Sequence, residues 1–164
     1  MATIEDFTQD ELRLIQHAPV HVIAGAVASG NEGMTGSMVE MIDGAEGFAQ
    51  SMASAEDSLL TAIFKSIDQT QPDDFDITQV SDPSYREALM AKGLTAAAQA
   101  HALLLQRAGS ADAGVYAASL VDAARAAVQA ARTGGFLGFG SVAVTEEEAE
   151  FVARLMATLG MSRD

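Results

Sequence analysis

Apolar side chains recur along this chain at intervals of three and four residues, the spacing that puts them on one face of an α-helix. Thr8-x-x-Glu11 is a capping box, and Phe7 and Leu12 stand at the positions of a hydrophobic staple around it, so a helix should begin near Gln9. It can run to about Ser29, where Gly30-Asn31 stops it. Pro19 lacks an N–H and its ring crowds the carbonyl of Ile15, which predicts a kink or break at that turn. Beyond it Val20, Val22, Ile23, Ala24, Ala26 and Val27 are apolar nearly all round, the mark of a central helix, and Gly25 would let a neighbour come close.

Gly30 to Gly36 reads as a loop, and Ser37-x-x-Glu40 as a second capping box opening a helix to about Met52. Gly44 and Gly47 weaken that helix by about 1 kcal/mol each relative to Ala. Ser54-x-x-Asp57 offers cap chemistry again, followed by Leu59, Leu60, Ile63, Phe64 and Ile67 at helical spacing. Residues 68–82 carry five Asp among turn formers and read as a connector pinned to the surface by Phe75, Ile77 and Val80.

Asp82-Pro83 is a cap followed by proline at the first helical position. Met90, Leu94, Ala97, His101, Leu104 and Ala108 then form a seam, and after Gly109-Ser110 a second seam follows through Ala113, Ala117, Leu120, Ala124, Ala127 and Ala131. The short loop between them predicts an Ala-rich antiparallel hairpin. Thr145-x-x-Glu148 caps a last helix whose buried stripe should be Ala149, Val152, Ala153, Met156 and Leu159, with Gly160 ending it. The fold class expected is all-α: a single-domain bundle of about six helices, with the 83–133 hairpin as scaffold and residues 20–29 near its centre.

Composition sharpens this picture. The chain has 164 residues, 49% of them hydrophobic, with 23 acidic and 9 basic side chains and a net charge of −14. Residues 1–82 hold 15 Asp/Glu against 2 Lys/Arg, and residues 83–164 hold 8 against 7, so the halves carry −13 and −1. An acidic half (1–67) therefore precedes the Asp-rich connector (68–82) and an Ala-rich half (83–164). Nucleic-acid and anionic-membrane binding need clustered Lys/Arg, which this balance argues against. The absence of Cys removes disulfides, thiolate nucleophiles and Cys-type metal sites. Met1-Ala-Thr-Ile-Glu-Asp is acidic where a secretory signal would be basic, which is the basis for expecting a cytoplasmic protein.

Candidate chemistry is sparse. His17 and His21 lie four apart, the spacing of a two-His metal clamp, and His101 or a carboxylate such as Glu11 could supply a third ligand. The other reading is a set of partly buried imidazoles, His101 serving helix register, core satisfaction or proton transfer. Gly138-x-Gly140-x-x-Ala143 imitates a dinucleotide fingerprint, but it follows a helix rather than a strand. Its glycines fit better a tight reversal that returns Phe136, Leu137 and Phe139 to the core, or presents them as an apolar docking knob. Asp73, Asp74 and Asp76 lack the spacing of a calcium loop, Glu146 to Glu150 suit a helix N-terminus, and no Ser sits in Gly-x-Ser-x-Gly.

The stretch Gly134-Gly-Phe-Leu-Gly-Phe-Gly-Ser-Val-Ala-Val-Thr-Glu-Glu-Glu-Ala-Glu, after an Ala-rich helix, resembles the ending of a group of uncharacterised bacterial all-helical proteins. Ala24 to Glu40 and Val142 to Glu148 are similar, more loosely, to the loop-then-acidic-helix starts of tellurite-resistance B-like domains. Where that family has an acidic Asp-Gly loop, this chain has Ser29-Gly30-Asn31-Glu32-Gly33. Neither resemblance supplies a catalytic residue. The function expected is a non-enzymatic cytoplasmic helical interaction or scaffold protein, self-associating or bound to a protein partner, without a cofactor, with cations or a basic partner at its acidic half. The alternative is a small-ligand or metal-binding protein, an enzyme included, with a pocket near His17, His21 and His101. A peripheral surface role through Phe136, Leu137 and Phe139 is the third.

Overall fold

Six α-helices and no strand occur among the residues described by the computed structural model, which are 1–30, 33–55, 57–66, 75–133 and 144–162. They are α1 (Gln9–Ser29), α2 (Gly33–Ala55), α3 (Ser58–Lys65), α4 (Pro83–Arg107), α5 (Ser110–Thr133) and α6 (Glu146–Thr158). The four long helices form two antiparallel pairs, α1 with α4 and α2 with α5, and α1 also packs on α2, α5 and α6. The central place expected for the end of α1 is borne out: Val22, Ile23, Ala24, Ala26, Val27 and Ala28 are all buried.

The Ala-rich α4–α5 hairpin forms, but it is not the closest pairing in the bundle. α4 packs chiefly on α1 and α5 chiefly on α2, because that is where backbones can approach. A Cβ on Gly93 of α4 would lie 2.7 Å from the carbonyl oxygen of His21 in α1. In α2, a Cβ on Gly44 would meet Ile23 Cγ2 at 2.8 Å, and one on Gly47 would meet Ala126 Cβ of α5 at 2.5 Å. The two glycines that weaken α2 as an isolated helix are thus the points at which it enters the bundle.

Pro19 neither breaks nor ends α1, which runs uninterrupted past it. The carbonyl that Pro19 leaves without a helical N–H partner is that of Ile15, and the hydroxyl of Tyr116 in α5 donates to it at 2.7 Å. Ile15 and Tyr116 are both fully buried, and burial alone pushes the Tyr116 hydroxyl well above its ordinary pKa, so it stays a donor. Its ring stacks on Phe64 at a centroid distance of 6.4 Å and meets Phe48 edge-on at 6.5 Å. This aromatic group closes the end of the core under α3.

The local start signals are realised closely. Thr8 and Glu11 form the expected capping box, with Thr8 N donating to Glu11 Oε2 at 2.8 Å, and Thr145 and Glu148 form the last one. Asp82 accepts from the N–H groups of Ser84 and Tyr85 with Pro83 at the first helical position. Gly109 (φ +100°) and Gly160 (φ +69°) end α4 and α6 in left-handed geometry.

Three expectations shift. α2 already begins at Gly33, so Ser37 and Glu40 lie inside it, both buried, rather than at its cap. α4 turns Leu89, Gly93, Ala96, Ala97, Ala100 and Leu104 inward, leaving Met90, Leu94 and His101 at the edge of the interface. α6 buries Glu148, Phe151 and Leu155; of the expected stripe only Leu159, just past its end, is buried, while Ala149 is exposed and Val152, Ala153 and Met156 are half-buried, because the Phe151 ring seats over Gly25.

Replacing Tyr116 with Phe should cost about 1–3 kcal/mol by stranding the Ile15 carbonyl. In a Pro19→Ala background, where residue 19 again offers an N–H, the cost should fall below half of that. Urea titration of the four proteins of this cycle checks it; equal losses in both backgrounds would refute the assignment. Gly93→Ala should lower the melting temperature sharply, whereas Gly114→Ala, with open space around its Cβ, should gain about 0.5–1 kcal/mol. Thermal denaturation of both variants reads the contrast.

Candidate functional site

A cleft of about 400 Å³ opens between the N-terminal 3-10 turn (Ile4–Asp6), the first turns of α1 and the end of α3. Ile4, Phe7 and Leu12 line its apolar side, and Glu5, Arg13 and His17 its polar side. Gln16, also in its wall, is committed to structure: its Nε2 donates to the Ile63 carbonyl at 2.7 Å and to Ser66 Oγ at 3.1 Å, tying α3 to α1. Arg13 pairs with Asp10 at 3.2 Å on the surface. No hydrogen bond joins His17 to an orienting carboxylate among the described residues.

Because α1 is unbroken, His17 and His21 do sit one turn apart, both half-buried, and His101 is half-buried on α4. Of the three, only His17 lines this cleft, and the His21 carbonyl faces Gly93. Among the described residues no group of three or more His, Asp or Glu side chains is placed to hold a metal ion. Glu11, the other candidate ligand, is otherwise engaged. The backbone N–H of Thr8 holds its carboxyl below the usual range, and so does Arg107, whose guanidinium donates to Oε1 at 2.6 Å. This ion pair joins the start of α1 to the end of α4.

Phe136, Leu137 and Phe139 lie outside the described residues, as do Asp73 and Asp74. Asp76 is described, and its carboxylate caps the 3-10 turn Ile77–Gln79. It accepts from the Thr78 hydroxyl at 2.6 Å, the Gln79 amide at 2.7 Å and the Thr78 N–H at 2.9 Å, which together hold its pKa down. Glu148 is equally committed: one carboxylate oxygen closes the capping box and the other lies against Gly30. Arg86 donates through Nε to the Ala28 carbonyl at 2.7 Å, capping the end of α1. These charged groups build the fold.

Among the described residues, two helix faces stand open. The outward side of α4 presents Ala88, Ala91, Thr95, Ala98, Ala102 and Leu105 at spacings of three and four; Ala98 is half-buried and the others are exposed. No Asp or Glu occurs from Ala88 to Ala111. By length and composition α4 could cross a membrane, and a third of its apolar window is buried in this fold. The second face belongs to α2, where Met38, Val39 and Ile42 are 53%, 38% and 57% exposed. Sequence reasoning missed both, because helical spacing shows that a stripe exists but not which of two stripes turns inward. No protein-family model, curated protein or solved structure matches the chain.

Asp57 caps α3 by accepting from Leu60 N at 2.9 Å and stands beside Asp112 in the first turn of α5. Burial, then the hydrogen bond and charge of Asp57, push the Asp112 carboxyl above its usual range. A raised acid pKa in the fold means stability that is complete below the ordinary Asp range and is lost as pH rises through the raised value. Asp112→Asn should therefore raise the melting temperature at pH 7 and lose that advantage below about pH 4. Calorimetry from pH 3 to 8 tests this; a pH-independent shift would contradict it.

Proposed function

We propose that this protein is a non-enzymatic helical interaction module that associates with a second copy of itself through the outward face of α4. The observation that carries the reading is the carboxylate-free stripe Ala88, Ala91, Thr95, Ala98, Ala102 and Leu105, left open among the described residues on a helix whose opposite side is fixed to α1. Small side chains repeating at three and four residues allow two helices to approach closely along a seam. Leu105, 49% exposed, supplies the larger anchor at one end.

Charge supports the same choice. Two copies carrying −14 each repel wherever carboxylates meet, and from Ala88 to Leu105 this helix face carries none, Glu87 lying just before it. The engaged state of Glu11, Asp76, Glu148 and Arg86 supports a structural use of the polar residues rather than a catalytic one.

Ala91→Glu with Ala102→Glu places two carboxylates on the seam at exposed positions, where the fold itself should tolerate them. Sedimentation velocity should show a dimer for the natural chain and a monomer for the double variant, with unchanged helical circular dichroism. A monomeric natural chain, or a variant that stays dimeric, refutes the reading. Binding of the natural chain to uncharged lipid vesicles that the double variant loses would reassign the face to a membrane.

A further inference from the structure

We infer that the exposed face of α2 is a docking surface for a basic amphipathic helix of another protein. Large hydrophobic side chains are rarely left open in a cluster without a use. Among the described residues, three of the five exposed ones, Met38, Val39 and Ile42, fall within about one turn of α2, the others being Met1 and Leu105. Ala45, Ala49 and Ala53, all exposed, continue the line of Met38 and Ile42 along the helix. Beside this apolar row, about a quarter-turn around the helix, runs a second one through Val39, Asp43, Glu46 and Gln50.

The second row borders a groove of about 320 Å³ between α2 and α5, with Asp43 and Glu46 on its wall and Gly47 and Ala126 among its lining. The absent side chain of Gly47 brings α5 so close that the groove floor is backbone and methyl. Such a groove suits the aliphatic stem of a Lys or Arg, with the cationic head left between two carboxylates. An apolar row beside an acidic row is complementary to a helix that carries Leu-type residues on one stripe and Lys or Arg on the next.

Charge decides among occupants. α2 has no Lys or Arg, so a second copy laid on this face would set Asp43 and Glu46 against their own kind. Anionic lipid headgroups would meet the same carboxylates. A basic helix turns both penalties into attraction. This surface is distinct from α4, and the inference stands or falls separately from self-association.

The test uses the full chain and a synthetic Leu/Lys amphipathic peptide of about 16 residues, long enough to follow the exposed length of α2. Titration calorimetry should show binding that weakens about tenfold or more for Met38→Ser with Ile42→Ser, and likewise for Asp43→Asn with Glu46→Gln. Glu146→Gln with Glu150→Gln, the same charge change at exposed positions on α6, should leave the affinity within about twofold, as should Ala91→Glu with Ala102→Glu. A Leu/Glu peptide of the same pattern should not bind. Equal weakening by the α6 control would reduce the effect to net charge and overturn the inference. So would an unchanged affinity in the Met38/Ile42 variant, conversion of a dimer to monomer by that variant, or binding of anionic vesicles that it abolishes. Circular dichroism of each variant confirms that the helices persist.

Discussion

The carbonyl of Ile15 is the point on which the arrangement turns. Pro19 removes its helical donor four residues on, in the middle of a helix whose surroundings are apolar, and an unsatisfied buried carbonyl costs on the order of 1–3 kcal/mol. Tyr116 supplies the donor from α5, which fixes α5 against α1 at one longitudinal position. Phe48 and Phe64 then pack around the Tyr116 ring, so α2 and α3 are placed by the same residue. The irregularity that threatened α1 becomes the contact that locates its neighbours.

From that anchor the rest follows by close approach. Gly93 admits α4 to the backbone of α1, and Gly44 and Gly47 admit α2 to α1 and α5. Residues this small bury little area of their own, and their contribution is to bring larger neighbours into contact along the whole helix. The pairings are therefore chosen by where glycine lies and not by which helices are consecutive. α4 and α5, joined by a short turn at Gly109, each spend their best face on another helix. One consequence is that α4 keeps a second regular stripe with no other described residue packed upon it.

This also explains what could be read in advance. Capping is local chemistry: Thr8 and Glu11, Asp82 and Pro83, and Thr145 and Glu148 all act within one turn, and each appears as its spacing implies. The inward stripe of a helix is a tertiary property, and in an Ala-rich helix competing stripes have nearly the same hydrophobicity. The α4 stripe through Met90, Leu94 and His101 therefore yields to the one centred on Gly93, and the α6 stripe through Ala149 yields to Phe151. The α5 stripe, with Leu120 among alanines, was legible because its alternative faces carry Asp112, Asp122 and Arg125. The same reasoning hid the candidate surfaces, since they are the stripes that lost.

Net charge sets the background for both surfaces but selects neither. At physiological salt charges are screened beyond about 8 Å, so a partner senses the nearest rows and little of the total of −14. On α4 the stripe itself holds no carboxylate and only Glu87 stands beside its start, so a like-charged copy meets little repulsion along it. On α2 the apolar row is bordered by Asp43 and Glu46, and a cation would complete the contact without loss. If both proposals hold, two open faces on one acidic molecule differ in the partner they admit because of a single row of side chains.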